Sequence, residues 1–200
     1  MKMRILAASL CAAVLCALPI NQANGQKAVT AYAGATDVTL SSNFVSALKA
    51  LGVNVGQVNP TMLSGMATFP ITGGVVDLDT AMGNIVHSGG LTFSGGSTTV
   101  RLQSFIIDTT GKKPVITGIV VVDNKVWGRF PLFDLMLPAG TTIPLKPKGN
   151  TLALSNVGVM LDATAAAALN KAYGVSQFTA GFDIGTAKVV AYVSSNDWTY

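Results

Sequence analysis

The 200-residue chain has no glutamate, one histidine (His87) and two cysteines. Every acid is an aspartate, nine in all, and most fall where the sequence reads as a turn or a helix start. Acid–base and metal chemistry therefore have few groups to draw on. Both cysteines, Cys11 and Cys16, sit in the opening segment MKMRILAASLCAAVLCALPINQANGQ. There Lys2 and Arg4 precede an apolar run from Ile5 to Leu18, followed by Pro19 and the small residues Ala23 and Gly25. The run is too short to cross ~30 Å of hydrocarbon and has the charge–apolar–small order of a secretory signal peptide. Cleavage is expected after Gly25, with Ala31-Tyr32-Ala33 as a second site. Leucines precede both cysteines, where a lipoprotein signal needs a small residue. The sequence predicts an exported protein, extracellular or periplasmic, with no membrane span in its mature form.

Residues 26–200 then form one cysteine-free domain. That excludes disulfides, thiol catalysis, Cys-ligated zinc and iron–sulfur clusters. Loss of Lys2 and Arg4 takes the 13 basic residues to 11 against nine acids, a net charge of +2. The high pI reflects sparse charge, and no Lys/Arg stripe interleaves with aromatics, so nucleic acid is not an expected partner. About 175 residues suffice for a sizeable single core.

What the chain has in abundance is strand pattern broken by glycine. Thr99–Gln103 alternates apolar and polar, and then gives way to the denser Phe105-Ile106-Ile107, which reads as strand covered on both faces. VITGIVVVDNKVWGRF (115–130) reads as a hairpin turning at Asp123-Asn124, residue types that tolerate positive φ. In TLALSNVGVML (151–161) the apolar parity slips at Ser155-Asn156, as at a β-bulge. A last strand or pair covers roughly Phe182 to Val193. Two segments carry helical spacing instead. SSNFVSALKALG places Phe44, Leu48 and Leu51 on one face behind a Ser41 or Ser42 cap. DATAAAALNKAYG does the same with Ala165, Ala168, Leu169 and Ala172 behind Asp162 or Thr164. Both run strand, polar cap, helix, Gly-Val, which either an old duplication or a recurring cap pattern would give. The expected fold is mainly β: an antiparallel β-sandwich or flattened barrel with short helices at about 41–51 and 163–173.

Candidate chemistry centres on His87. Ile85 and His87 share a strand face, and Ser88-Gly89-Gly90 reads as a hairpin turn into Leu91. The imidazole can ligate a metal or hydrogen-bond a bound group, or it can be a hydrogen-bonded structural residue. Asp77 and Asp79 are the nearby acids that a metal would need. No serine lies in a Gly-x-Ser-x-Gly elbow, and Asp108, Asp123 and Asp134 have turn or strand-end spacing rather than that of a carboxylate pair. Trp127, Phe130 and Phe133 read as core. The glycine pairs lack the Gly-Lys-Ser/Thr of a phosphate loop. Pro138, Pro144 and Pro147 mark 135–150 as a long loop or extended edge.

FPITGGVVDLDTAMGNIVHSGGLTF followed by VRLQSFIIDTTG resembles the core of HtaA-type domains of secreted haem-uptake proteins. His87-Ser88-Gly89-Gly90-Leu91 is the local match. The resemblance implies a β-rich fold and a haem pocket in which a tyrosine binds iron and a histidine, here His87, hydrogen-bonds that tyrosine. The tyrosine is expected in the first helix, where this chain has Ala47, and residues 33–172 contain none. The function expected from sequence is a non-enzymatic binding or structural module without a cofactor, meeting an envelope or protein partner through 88–91 and 138–150. The alternative is a haem or tetrapyrrole binder using His87.

Overall fold

The computed structural model describes residues 28–195, so the predicted signal peptide over 1–25 lies outside the described residues. In chain order the elements are β1 (Ala28–Leu40), α1 (Ser42–Ala50), β2 (Asn54–Val58), β3 (Met62–Leu63), β4 (Ala67–Asp77), β5 (Gly83–His87) and β6 (Gly90–Gly95). There follow β7 (Thr98–Asp108), β8 (Val115–Val122), β9 (Lys125–Met136), β10 (Thr151–Leu161), α2 (Ala163–Tyr173) and β11 (Asp183–Ser195). The sheet order is β2-β6-β7-β5-β4-β1-β11-β10-β9-β8, and β8 pairs back onto β7. That last pairing closes eight strands, β7 through β8, into an antiparallel barrel. β6 and β2 extend from the first half of β7, and β3 is a short addition to β4. Of the two expected architectures, sandwich or barrel, the chain adopts the barrel.

Short-range chemistry sets the element ends. Ser41 Oγ accepts from Phe44 N at 3.1 Å and starts α1, whose Phe44 and Leu48 are buried. Asp162 accepts from Thr164 N at 2.7 Å and starts α2, and Gly174, in the left-handed conformation, ends it. The buried face of α2 is Ala165 and Ala166, with Leu169 and Ala172 partly covered, whereas Ala168 is exposed. Both helices begin where the chain leaves a strand beside β11: Ser41 N donates to Ile184 O and Leu161 N to Phe182 O. They therefore lie at the same end of the barrel.

Bulges and turns let the strands curve. Asp123 and Asn124 take φ of 47° and 64°, the tight turn that joins β8 to β9. At Ser155-Asn156, β10 gains one residue over β11, with Asn156 at φ 58°. A further bulge in β7 was not visible in the residue pattern. Ser104 has φ 55° and the register against β8 slips between Gln103 and Ile106. The slip resets parity, so Val100, Leu102, Phe105 and Ile107 all face inward while Ile106 is only partly covered. The expected double-covered run at 105–107 is thus a phase change within one half-buried strand.

Ser88-Gly89-Gly90 is not a hairpin turn. β5 and β6 both pair antiparallel with β7, β5 opposite 106–108 and β6 opposite 98–103, so the chain keeps its direction through the glycines. Ser104 N donates to Gly89 O across this jog. Here the sheet divides: β5 pairs with β4 in the barrel, and β6 pairs with β2 outside it. Gly89 has φ 82°, and a Cβ there would stand 2.2 Å from Thr61 Oγ1. The core is continuous. Phe69 meets Phe105 edge-on at 5.2 Å, and Phe44 has edge contacts with Phe93, Phe178 and Phe182.

Candidate functional site

His87 ends β5 with its side chain inside the barrel, 4% exposed. Its backbone pairs with Ile71, and its Nε2 lies 2.8 Å from Oγ1 of Thr36 on β1, itself buried. Burial pushes the imidazole down to about 4, against a weaker opposing pull from the backbone at Phe105 and Ile85. The ring is neutral at physiological pH, with one nitrogen occupied by Thr36 and Nδ1 buried without a hydrogen bond of good geometry. The space beside it is about 60 Å³, lined by residues such as Phe69, Phe105, Ile107 and Val159. Ligand pockets typically run to about 300–1,000 Å³, so this space has the size of a packing gap.

A second apolar space of about 50 Å³ lies beneath α1 and α2 and shares Phe44, Phe93, Leu102, Phe133 and Ile184 with the first. Trp127 and Tyr173 line it, and Trp127 is half exposed. The expectation that Trp127 and Phe130 are core fails. The register of β9 slips between Val120 and Val121 of its partner, leaving Trp127 as the extra residue, and β10 pairs with β9 only from Phe133 onward. The first half of β9 is thus unpaired on that side, and of the three aromatic residues only Phe133 packs against the core. Tyr173 donates to Phe93 O at 2.8 Å and, mainly through burial, is pushed up to about 12. A tyrosine must lose its proton to ligate iron, and both the hydrogen bond to Phe93 O and burial oppose that loss here. Ala47 occupies the helix position from which the resemblance takes its iron-binding tyrosine, and it packs on the core.

The aspartates do not gather around His87. Asp77 Oδ1 accepts from Thr80 N and Oγ1, six residues along β4 from Ile71, or roughly 20 Å at strand rise. Asp108 is occupied by Thr110, whose hydrogen bonds hold its carboxyl below the usual range, and Asp123 accepts from Thr99 N. Asp134 and the α2 cap Asp162 do converge, on Lys113 at 2.6 and 3.6 Å. The sequence reading missed this cluster because pairing of Phe133 with Leu161 creates it. It ties the β7–β8 loop to the start of α2. Among the described residues no three His, Cys, Asp or Glu side chains are grouped to hold a metal.

Of the two expected contact segments, Ser88–Leu91 is packed: Gly90 and Leu91 are buried, and Gly90 N donates to Thr61 Oγ1. Residues 138–150 run largely exposed over the surface, anchored by Leu145 N to Leu78 O at 2.7 Å. No protein-family model matches the chain, and no curated protein matches it. Solved structures do match. The C-terminal domain of HtaA from Corynebacterium glutamicum superposes with a TM-score of 0.65 at 16% identity, covering 83% of this chain and 99% of that one. The N-terminal domain of the same protein gives 0.61 at 14%, covering 82% and 99%. The heme binding protein HtaB of that organism gives 0.59 at 11%, covering 84% and 95%. At these identities the likeness establishes the fold: the barrel with its two helices is that of HtaA-type domains.

Proposed function

We propose that this protein is an exported, non-enzymatic binding module that uses the HtaA-type fold without a His87-centred haem site. The observation carrying this reading is the state of His87: enclosed, neutral and hydrogen-bonded to Thr36 in a space of about 60 Å³. The residues at this position do not suit a haem. The imidazole is turned inward, Ala47 replaces the iron-binding phenol that the resemblance implies, and Tyr173 is spoken for by Phe93 O. No aspartate accompanies His87, and the two that converge, Asp134 and Asp162, are engaged by Lys113, which speaks against an enzyme. An envelope or protein partner would meet the exposed surface at 138–150, not the packed 88–91 segment.

A second reading, haem held through His87, is favoured by the fold shared with HtaB. The two separate in one titration. Residues 26–200, which contain every described residue, are titrated with hemin beside His87→Ala while the Soret band is followed. No saturable shift, or one indifferent to the substitution, is expected. A near-stoichiometric shift abolished by His87→Ala would overturn the proposal and establish the haem reading.

A further inference from the structure

The larger apolar cavity lies at the other mouth of the barrel, away from the helices. β10 runs from Thr151 at that mouth to Leu161 at the helices, and β11 returns. The cavity measures about 190 Å³, some three times the space at His87. Its base is formed by the buried Ile85, Ile107, Leu135, Val157 and Val189, and the proline-rich segment crosses its top with Leu137, Ile143 and Leu145. An interior cavity of about 150 Å³ lined by aliphatic and aromatic side chains stays dry and takes up benzene. This one exceeds that volume.

Its chemistry is narrow. None of the side chains lining it is ionisable. Three of its threonine hydroxyls are committed within the protein: Thr80 to Asp77 Oδ1, Thr109 to the carbonyls of Ala81 and Gly83, and Thr141 to Pro138 O. Apart from Asn84 a guest would meet mainly methyl and methylene groups, and a charged one would lose its hydration without a counter-ion. At the rim Leu137 and Ile143 are 43% and 50% exposed, so the apolar lining continues out to the surface. We infer that this mouth is a binding site for a small uncharged hydrocarbon-like molecule, about one aromatic ring or a short branched alkyl chain in size, covered by residues 137–145. The site shares no residue with the space beneath the helices and only Ile107 with the space beside His87, and His87 itself does not line it, so it stands or falls apart from the hemin titration.

Toluene is the probe, and the methyl resonances of Leu, Ile and Val are the reporters. Toluene is expected to shift the methyls of Leu145, Leu152, Leu154 and Val157 saturably. Val157→Phe, which adds volume at the buried base, and Ile143→Asp, which sets a carboxylate at an exposed rim position, should each weaken binding tenfold or more. Should Val157→Phe fail to fold, the exposed Ile143→Asp change still decides. No saturable shift, shifts centred instead on Leu48, Leu51 and Leu169, or wild-type affinity in Ile143→Asp would overturn the assignment.

Discussion

Lowering the pH should destabilise this protein through one side chain. In the fold His87 takes a proton only near pH 4, whereas in the unfolded chain it does so near 6.5. Between those values the unfolded state binds more protons, so stability rises with pH there. The contribution is complete above about pH 6.5, is lost as pH falls toward 4, and changes no further below it. At about 1.4 kcal/mol for each pH unit, the separation amounts to about 3 kcal/mol, with no exposure to discount because the side chain is enclosed. For a urea dependence of about 2–3 kcal/mol/M, the unfolding midpoint should fall by about 1–1.5 M between pH 7 and 4. The control is His87→Gln, which can still meet Thr36 but does not titrate. It should be less stable at neutral pH and nearly flat from pH 7 to 4.5. Asp108, whose carboxyl Thr110 holds below its ordinary range, acts below that window, and the His87→Gln control carries every other carboxylate unchanged. Parallel pH profiles for wild type and His87→Gln would refute the buried, neutral imidazole.

Three further substitutions test the frame around it. Gly185→Ala places a Cβ 2.0 Å from Thr39 O at a φ of 149°, and should cost about 2 kcal/mol or more by thermal unfolding through damage to β1–β11 pairing. Asp162→Ala removes the α2 cap and should cost about 1–2 kcal/mol, whereas Asp162→Asn should retain most of the stability because asparagine also caps. Phe69→Ala deletes the ring packed edge-on to Phe105 beside His87 and should cost about 3–5 kcal/mol in urea unfolding.

Features settled within a few residues were legible in the sequence. Ser41 and Asp162 cap helices because their side chains reach amides two or three residues on. Asp123-Asn124 turns and Asn156 bulges because those types accept positive φ. The β-rich class followed from alternation and glycine. What failed depended on partners distant in sequence. Whether Ser88-Gly89-Gly90 reverses the chain or merely jogs is decided by β7, which both flanking strands join. Ser104 carries no residue-type mark of a bulge, so the phase change in β7 looked like a doubly covered run. Trp127 was assigned to the core by its hydrophobicity, yet β10 reaches only the later part of β9 and leaves it exposed. For the site, parity placed His87 on the same face as Ile85. Its enclosure by Thr36, fifty-one residues earlier, is a consequence of barrel closure. The cavity at the opposite mouth depends on where the proline-rich segment lies, which no local pattern dictates.

The most direct test of the account is an imidazole nitrogen–proton correlation NMR titration of His87 from pH 7.5 to 3.5, run with and without hemin. With a single histidine in the chain the assignment is immediate. A neutral ring titrating near pH 4, unmoved by hemin, is expected. A midpoint near the ordinary value of about 6.5, or a hemin-dependent shift of the ring signals, would contradict it and return His87 to the binding site.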